Sequence, residues 1–181
     1  MKFTPMTIPD VVLVEPVVHG DHRGFFMETW HAGTFRRHGL DLDFVQDNHS
    51  GSVRGTIRGL HYQIERAQGK LVRVVAGEIY DVAVDLRRSS TTFGRWVGTT
   101  LSAANRLQVW VPPGFAHGFC VTSDRAEVVY KCTDFYVAEH ERTLRWDDPT
   151  LGIAWPVGPG RALVSAKDAA GLDLQTVPTF P

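Results

Sequence analysis

Short runs of β-branched and other apolar residues, separated by turns that contain glycine or proline, make up most of the chain. Such runs predict β-strands, because their side chains pack well on a pleated, half-buried surface. The predicted strands cover residues 11–18, 24–30, 71–75, 79–86, 109–111, 118–122 and 127–137. Helices are predicted only at residues 32–38 and 166–172. This spacing of strands and turns predicts an all-β sandwich or barrel with a few short helices.

The turn-like residues 76–78 join two of these strands, which predicts a β-hairpin. In the second strand of the pair, polar and apolar residues alternate between Tyr80 and Asp85. Successive side chains of a strand point to opposite faces of its sheet. One face of this strand is therefore expected to carry carboxylates.

The composition is that of an ordinary globular protein, with 43% apolar and 22% charged residues. A length of 181 residues predicts one domain that spans residues 1–181. The net charge of −1 gives no reason to expect nucleic acid or an acidic membrane as a partner. No apolar stretch resembles a signal peptide or a membrane span, so a cytoplasmic location is expected. Cys120 and Cys132 are then expected to be buried free thiols.

Two segments together resemble a metal site that has lost ligands. Residues 112–117 have the complete Pro-x-Gly-x-x-His pattern of the second cupin motif. In residues 58–63, which resemble the first motif, His61 is present but Gln63 replaces the second histidine. Lys70 lies near the place where the motif has a carboxylate. A divalent transition metal needs several imidazole or carboxylate ligands, so no metal is expected here.

The remaining residues suit proton transfer. Imidazole is an effective general base near neutral pH, and His61 is the candidate. Asp168 could fix its tautomer, or could simply cap a helix. Lys70 could stabilise an oxyanion, or could be a solvated residue at a strand edge. Tyr130 could exchange a proton opposite the base, or could be a core aromatic with its hydroxyl in water.

Three cations could pair with a pyrophosphate: Arg23, Arg58 and Lys167. Arg23 lies beside Phe25 in the segment 21–26, and this combination of a cation with aromatic rings also suits a nucleotide base.

Seven segments closely resemble the dTDP-4-dehydrorhamnose 3,5-epimerase family of cupin-fold enzymes. They are residues 21–28, 45–50, 58–63, 68–72, 81–87, 113–119 and 163–168. The similarity runs nearly end to end and keeps its order. It implies a cupin-type double-stranded β-helix, or jelly-roll barrel, in a metal-independent homodimer without a cofactor.

The resemblance also implies roles for individual residues. His61 falls where the family has its catalytic base, and Asp168 where it has the carboxylate partner of that base. Lys70 matches the lysine that stabilises the enolate, and Tyr130 the tyrosine that acts on the other face of the sugar. The expected substrate-binding residues are Arg23, Phe25, Glu28, Gln46, Asn48, Arg58, Lys70, His117, Glu141 and Lys167.

The expected reaction inverts carbons 3 and 5 of dTDP-4-dehydro-6-deoxy-D-glucose and gives dTDP-4-dehydro-L-rhamnose. The nearest alternative is a single-centre epimerase of a dTDP-4-keto-6-deoxy sugar in a secondary-metabolite pathway. A metal-dependent cupin oxygenase is opposed by Gln63 and Lys70. A non-catalytic sugar-binding cupin would leave His61, Asp168, Lys70 and Tyr130 without a shared purpose.

Overall fold

The computed structural model describes residues 1–158 and 160–181, and β-strands dominate it. The strands are β1 (Lys2–Pro5), β2 (Val12–Glu15), β3 (Val18–Asp21), β4 (Gly24–Met27), β5 (Gln46–Val53), β6 (Ile57–Gln63), β7 (Lys70–Ala76), β8 (Glu78–Asp85), β9 (Trp96–Ser102), β10 (Gln108–Val111), β11 (Phe115–Val121), β12 (Arg125–Cys132) and β13 (Glu141–Thr143). The helices are α1 (Ala32–Arg37), α2 (Ala166–Ala169) and a 3₁₀ turn at Ala138–His140. The prediction of an all-β protein with a few short helices is confirmed.

Two antiparallel sheets form the body of the molecule. The first has six strands in the order β1-β2-β10-β7-β12-β5, and the second has five in the order β13-β6-β11-β8-β9. Strands β3 and β4 form a separate antiparallel hairpin. In the part of the chain that the structure describes, no helix has the length and apolar character that a membrane span requires.

The main core lies between the two sheets, where the inward side chains of both meet. The first sheet contributes Val72, Val74, Val109, Val111, Ala126 and Val128, and the second contributes Ile79, Ala83, Val97, Leu101, Phe115, Phe119 and Val121. All of these side chains are at most 5% exposed. Because successive side chains of a strand alternate between faces, every second residue of the central strands points into this space.

The predicted hairpin around residues 76–78 is wrong. Strand β7 pairs with β10 and β12, whereas β8 pairs with β9 and β11, so the turn leads from one sheet to the other. Gly77 has a φ of +74°, and a Cβ atom there would lie 2.0 Å from the carbonyl oxygen of Arg125. Two features of this turn therefore require glycine: the left-handed backbone conformation and the close approach between strands.

Several predicted elements have different limits in the structure. The run 11–18 divides into β2 and β3, and the run 127–137 ends as a strand at Cys132. The helix predicted at 166–172 is shortened to α2. Strand β5 was not predicted because its residues are mostly polar. Its half-buried residues alternate with exposed ones, as in any strand at the side of a sheet.

Candidate active site

A cavity of about 320 Å³ opens between the two sheets. Polar side chains replace the apolar core at this end of the sandwich. The cavity is lined by Gln46, Asn48, Ser50, Arg58, His61, Tyr62, Gln63, Gln68, Lys70, His117, Gly118, Phe119, Tyr130, Tyr136, Glu141 and Lys167. Side chains two positions apart in a strand point to the same face of the sheet. Gln46, Asn48 and Ser50 therefore share one face of β5, and His61 and Gln63 share one face of β6.

His61 and Asp168 form a close pair in one wall of this cavity. The Nε2 atom of His61 lies 2.6 Å from Oδ1 of Asp168. Asp168 lies in α2, whose N-cap is Ser165, and its side chain is only 5% exposed. Asp168 is not itself a lining residue and reaches the cavity through His61. With a proton on Nε2 held by the carboxylate, the basic nitrogen of His61 is Nδ1.

The surroundings of Asp168 keep its carboxylate ionised. Burial alone would raise the pKa of Asp168, but the hydrogen bond and charge of His61 outweigh this effect. The backbone N–H of Gly59 donates to Oδ2 at 3.3 Å and lowers the pKa further. The net result is a pKa below the ordinary value. An ionised carboxylate in this position orients the imidazole and stabilises its protonated form.

Two glycines allow β6 and β11 to approach closely beside His61. A Cβ atom on Gly59 would lie 2.6 Å from the Cα atom of Gly118, and one on Gly118 would lie 2.5 Å from the carbonyl oxygen of Arg58. Gly59 also has a φ of +126°. This contact keeps His61 and His117 opposite each other in the register of the two strands.

Lys70 enters the cavity from the first sheet, at the start of β7. Its side-chain Nζ donates to the carbonyl oxygen of His61 at 3.2 Å, and the residue is 7% exposed. Burial lowers the pKa of Lys70, and the negative charges of Glu141 and Asp81 oppose part of this effect. A buried ammonium with one backbone partner has further N–H donors available for a ligand oxygen.

Tyr130 also belongs to the first sheet, in β12, opposite Asn48 of β5. Its side chain lines the cavity. Burial raises the pKa of Tyr130, and the positive charge of Arg58 only partly opposes this effect. The phenol is therefore neutral near pH 7 and can donate its proton.

His117 has a carboxylate partner of its own. Its Nε2 lies 2.8 Å from Oδ2 of Asp81, and both residues are almost completely buried. Asp81 and Asp85 are both buried residues of β8, on the same face of that strand. Two histidines that line the cavity thus each have a carboxylate partner behind them, and His61 is the more exposed of the two histidines.

The mouth of the cavity contains a residue that the sequence did not single out, Tyr136. Its hydroxyl donates to Oε2 of Glu141 at 2.9 Å, and Nζ of Lys167 lies 2.7 Å from the same oxygen. Burial would raise the pKa of Glu141, but these two partners lower it below the ordinary value. In the sequence, the aromatic residues at 135–136 are only a weak indication of a ligand-binding position.

The predicted site residues fall into two groups. His61, Lys70, Tyr130, Gln46, Asn48, Arg58, His117, Glu141 and Lys167 line the cavity, and Asp168 contacts it through His61. Arg23, Phe25 and Glu28 do not line it. Arg23 and Phe25 lie on the β3–β4 hairpin, where the Phe25 side chain is 58% exposed and the Arg106 guanidinium lies 4.2 Å from its ring centroid. Glu28 follows this hairpin and is exposed.

Potential metal ligands are few at this site. Within residues 1–158 and 160–181, no group of three or more histidine, cysteine, aspartate or glutamate side chains is arranged to hold a metal ion. Gln63 uses its amide to bond backbone groups at Arg66, Phe135 and Val137. The arrangement therefore favours acid–base chemistry by His61 and Tyr130 over coordination chemistry.

Comparisons with known proteins agree with this chemistry. A family model described as dTDP-4-dehydrorhamnose 3,5-epimerase matches residues 5–176. The dTDP-4-dehydrorhamnose 3,5-epimerase of Pseudomonas aeruginosa is 56% identical over an alignment of 182 positions, which covers 100% of both chains. That of Neisseria gonorrhoeae is 58% identical over 171 residues, which cover 94% of this chain and 52% of the relative.

Solved structures show the same architecture. The dTDP-6-deoxy-D-glucose-3,5-epimerase of Legionella pneumophila, in complex with dTDP-4-keto-L-rhamnose, has a TM-score of 0.95 and 46% identity, with 99% of this chain and 98% of that chain covered. A 3'-monoepimerase of Streptomyces bikiniensis, in complex with dTDP-quinovose, has a TM-score of 0.88 and 36% identity, with 95% and 87% covered. These similarities confirm the predicted cupin-type β fold. The match of the family model over most of the chain, together with these identities, establishes that the chain belongs to the dTDP-4-dehydrorhamnose 3,5-epimerase family.

Proposed function

We propose that this protein inverts carbons 3 and 5 of dTDP-4-dehydro-6-deoxy-D-glucose and so forms dTDP-4-dehydro-L-rhamnose. The observation that carries the proposal is that His61 and Tyr130 reach the cavity from opposite sheets, on β6 and β12. A sugar ring bound between the sheets has a base on one face and a proton donor on the other. Inversion of a carbon centre next to a ketone requires this pair of groups.

The first step is removal of a carbon-bound proton by Nδ1 of His61. The C–H electron pair forms a carbon–carbon double bond, and the ketone π electrons move to the oxygen at carbon 4. Asp168 stabilises the imidazolium without taking up a proton itself. The hydroxyl of Tyr130 then protonates the same carbon from the opposite face, and the ketone forms again. Acid–base groups of this kind typically contribute roughly 10²–10⁴-fold each to the rate.

Lys70 supplies the charge that the enolate needs. Its Nζ lies near the backbone of His61, so it is close to the base that begins the reaction. A fixed donor at a developing oxyanion typically contributes about 3 kcal/mol to lowering the barrier. In this proposal Lys70 polarises the ketone, so the reaction needs neither a metal nor another cofactor.

The nucleotide part of the substrate is placed at the mouth of the cavity. Arg58 and Lys167 line the cavity and are suited to the pyrophosphate, and His117, Gln46 and Asn48 offer further polar contacts. The ring of Tyr136 is 51% exposed there and offers a surface on which a base can stack. Binding energy from this remote part of the substrate positions the sugar for reaction.

We further propose that two copies of this single domain, residues 1–181, form a homodimer. Arg23, Phe25 and Glu28 are expected to bind substrate but do not line the cavity of their own chain. The β3–β4 hairpin that presents Arg23 and Phe25 also exposes 72% of Phe26. A hairpin of this kind can complete the cavity of a partner subunit and bury its aromatic side chains there. The free thiols of Cys120 and Cys132 are compatible with a cytoplasmic location.

The proposal is tested by the product that forms from dTDP-4-dehydro-6-deoxy-D-glucose in deuterated water. Proton NMR is expected to show deuterium at carbons 3 and 5 and the L-configured sugar. Deuterium at only one carbon would identify a single-centre epimerase, such as the 3'-monoepimerase of Streptomyces bikiniensis. Binding of the nucleotide sugar without any exchange would indicate a sugar-binding protein. Loss of activity on chelation, with a stoichiometric transition metal, would favour an oxygenase.

A further inference from the structure

Three glutamine side chains hold one irregular segment of the backbone at the mouth of the cavity. Gln46, Gln63 and Gln68 come from three different places in the chain, and all three line the cavity. Their amides bond four consecutive residues, 134–137, which connect β12 to the 3₁₀ turn. We refer to these three side chains as the glutamine clamp.

Gln63 is the central member of the clamp. Its Oε1 accepts from the N–H of Val137 at 2.6 Å, and its Nε2 donates to the carbonyl oxygens of Phe135 at 3.2 Å and Arg66 at 2.8 Å. Both amide hydrogens are thus in use, and the side chain is 2% exposed. Although Gln63 lines the cavity, its donors are occupied by the protein, so its contribution to a ligand is indirect.

The other two members bond the neighbouring residues of the same segment. Nε2 of Gln68 donates to the carbonyl oxygen of Asp134 at 2.8 Å, and Oε1 of Gln46 accepts from the N–H of Tyr136 at 2.8 Å. Residues 134–137 have no regular secondary structure that could satisfy these backbone groups. Backbone N–H and C=O groups are strong hydrogen-bonding groups, and in this partly exposed segment glutamine side chains supply their partners.

The segment matters because it carries Tyr136. Its backbone N–H is held by Gln46, and its flanking residues on both sides are held by Gln63. The phenol of Tyr136 bonds Glu141, which in turn pairs with Lys167. The clamp therefore holds the backbone that carries the half-exposed ring of Tyr136, and the Tyr136 hydroxyl bonds the Glu141–Lys167 pair.

We propose that Gln63 is a positioning residue, which raises the affinity for the nucleotide end of the substrate by preorganising Tyr136. This inference rests on the proposed function, because it assumes that a dTDP-linked sugar binds at this mouth. Gln63 occupies the place where a metal-binding cupin motif has a histidine. Its amide can satisfy two carbonyls and one N–H at once, which a neutral imidazole, with one donor and one acceptor, cannot do.

The test is the affinity for dTDP, measured by calorimetry, together with kcat and KM. Gln63→Leu is expected to raise the Kd for dTDP about tenfold, which corresponds to about 1.4 kcal/mol. It should raise KM in parallel and leave kcat within about threefold, the pattern of lost uniform binding. Gln108→Leu is the matched control: Gln108 is also 2% exposed and donates to one carbonyl, that of Thr29, at 2.8 Å, but it does not line the cavity. The control should leave both constants unchanged.

A double-mutant cycle separates positioning from general stability. If Gln63 acts through Tyr136, Gln63→Leu should cause little further loss of dTDP affinity when Tyr136→Ala is already present. Additive losses, or an unchanged Kd for Gln63→Leu, would overturn the inference. If Gln63→Leu does not fold, Gln63→Glu provides the same comparison. The introduced carboxylate would face the carbonyl oxygens of Arg66 and Phe135 and could not donate to them. Failure of the unmodified protein to bind dTDP would contradict the proposed function itself.

Discussion

Nε2 of His61 lies 2.6 Å from Oδ1 of Asp168, although the two residues are 107 positions apart in the sequence. The pair joins β6 of the second sheet to the short helix α2 near the C-terminus. The carboxylate is held from behind by the N–H of Gly59. The tautomer of His61 is therefore fixed by residues that do not line the cavity, and Nδ1 is left to act as the base.

Replacement of Asp168 by asparagine should test this orientation. An amide can donate to Nε2 of His61, which would move the ring proton to Nδ1 and block the base. The expected loss in kcat is on the order of a hundredfold or more, within the usual range for acid–base groups. Asp124→Asn is the control, because the Asp124 side chain is 96% exposed and has no assigned role in the site. A kcat close to that of the unmodified protein would show that Asp168 has no part in orienting the base.

Replacement of Lys70 by methionine should lower kcat about a hundredfold, since it removes a donor worth about 3 kcal/mol at the enolate. The pH profile gives a second check. Burial lowers the pKa of Lys70, so the ammonium loses its charge as pH rises through a value below the usual 10.4 or so. Activity in the unmodified protein should fall over that alkaline range. A profile of Lys70→Met with the same alkaline fall would assign the transition to another group.

Asp85 is expected to stabilise the fold in a pH-dependent way. Burial would raise its pKa, but hydrogen bonds from Arg87, Ser90 and Thr92 outweigh this and lower the pKa to about 2. A carboxylate whose pKa is lowered by folding stabilises the folded state fully at pH values above the pKa that it has in the unfolded chain, which is near 4. This contribution is lost as pH falls to about 2. Its size is about 2 kcal/mol.

Urea unfolding of Asp85→Asn measures this contribution. The variant should be less stable by about 2 kcal/mol near neutral pH, and the difference should shrink as pH falls toward 2. Asp124→Asn should show no such difference, because its side chain is almost fully exposed. A deficit for Asp85→Asn that is the same at both ends of this pH range would contradict the account of Asp85.

The placement of the β3–β4 hairpin can be tested by mixing two inactive or weakened chains. His61→Ala removes the base, and Arg23→Ala weakens substrate binding. If the hairpin of one subunit completes the cavity of the other, mixed dimers contain one intact site. When the two variants are unfolded and refolded together, activity with the KM of the unmodified protein should then appear. Recovery of no activity beyond that of the separate variants would mean that the hairpin serves its own chain.

The sequence predicted the fold class and most of the cavity, but not all of their details. The alternation of residues along strands and the similarity of the segment 58–63 to a cupin motif led to His61 and to an all-β fold. The role of Asp168 could be predicted only from the family resemblance, because its local sequence is that of an ordinary residue in the first turn of a helix. Its burial against Gly59 is a tertiary contact, which local patterns do not encode.

Other features could not be predicted because they depend on which strands become neighbours. The turn at Gly77 has the composition of a hairpin, yet it connects two different sheets. From the sequence, Gln63 has only the position of a missing metal ligand, whereas in the fold its amide bonds the backbone of Phe135 and Val137. Tyr136 is fixed by a glutamine 90 positions away, so no short-range pattern marks it.

The most direct test of the central claim compares His61→Ala and Tyr130→Phe with the unmodified protein in deuterated water. His61→Ala should abolish exchange of the carbon-bound hydrogens of dTDP-4-dehydro-6-deoxy-D-glucose, because no base remains. Tyr130→Phe should leave exchange largely intact and suppress inversion, because proton removal persists while delivery to the other face is lost. Epimerisation at the unmodified rate by either variant would contradict the assignment of base and acid to opposite walls of the cavity.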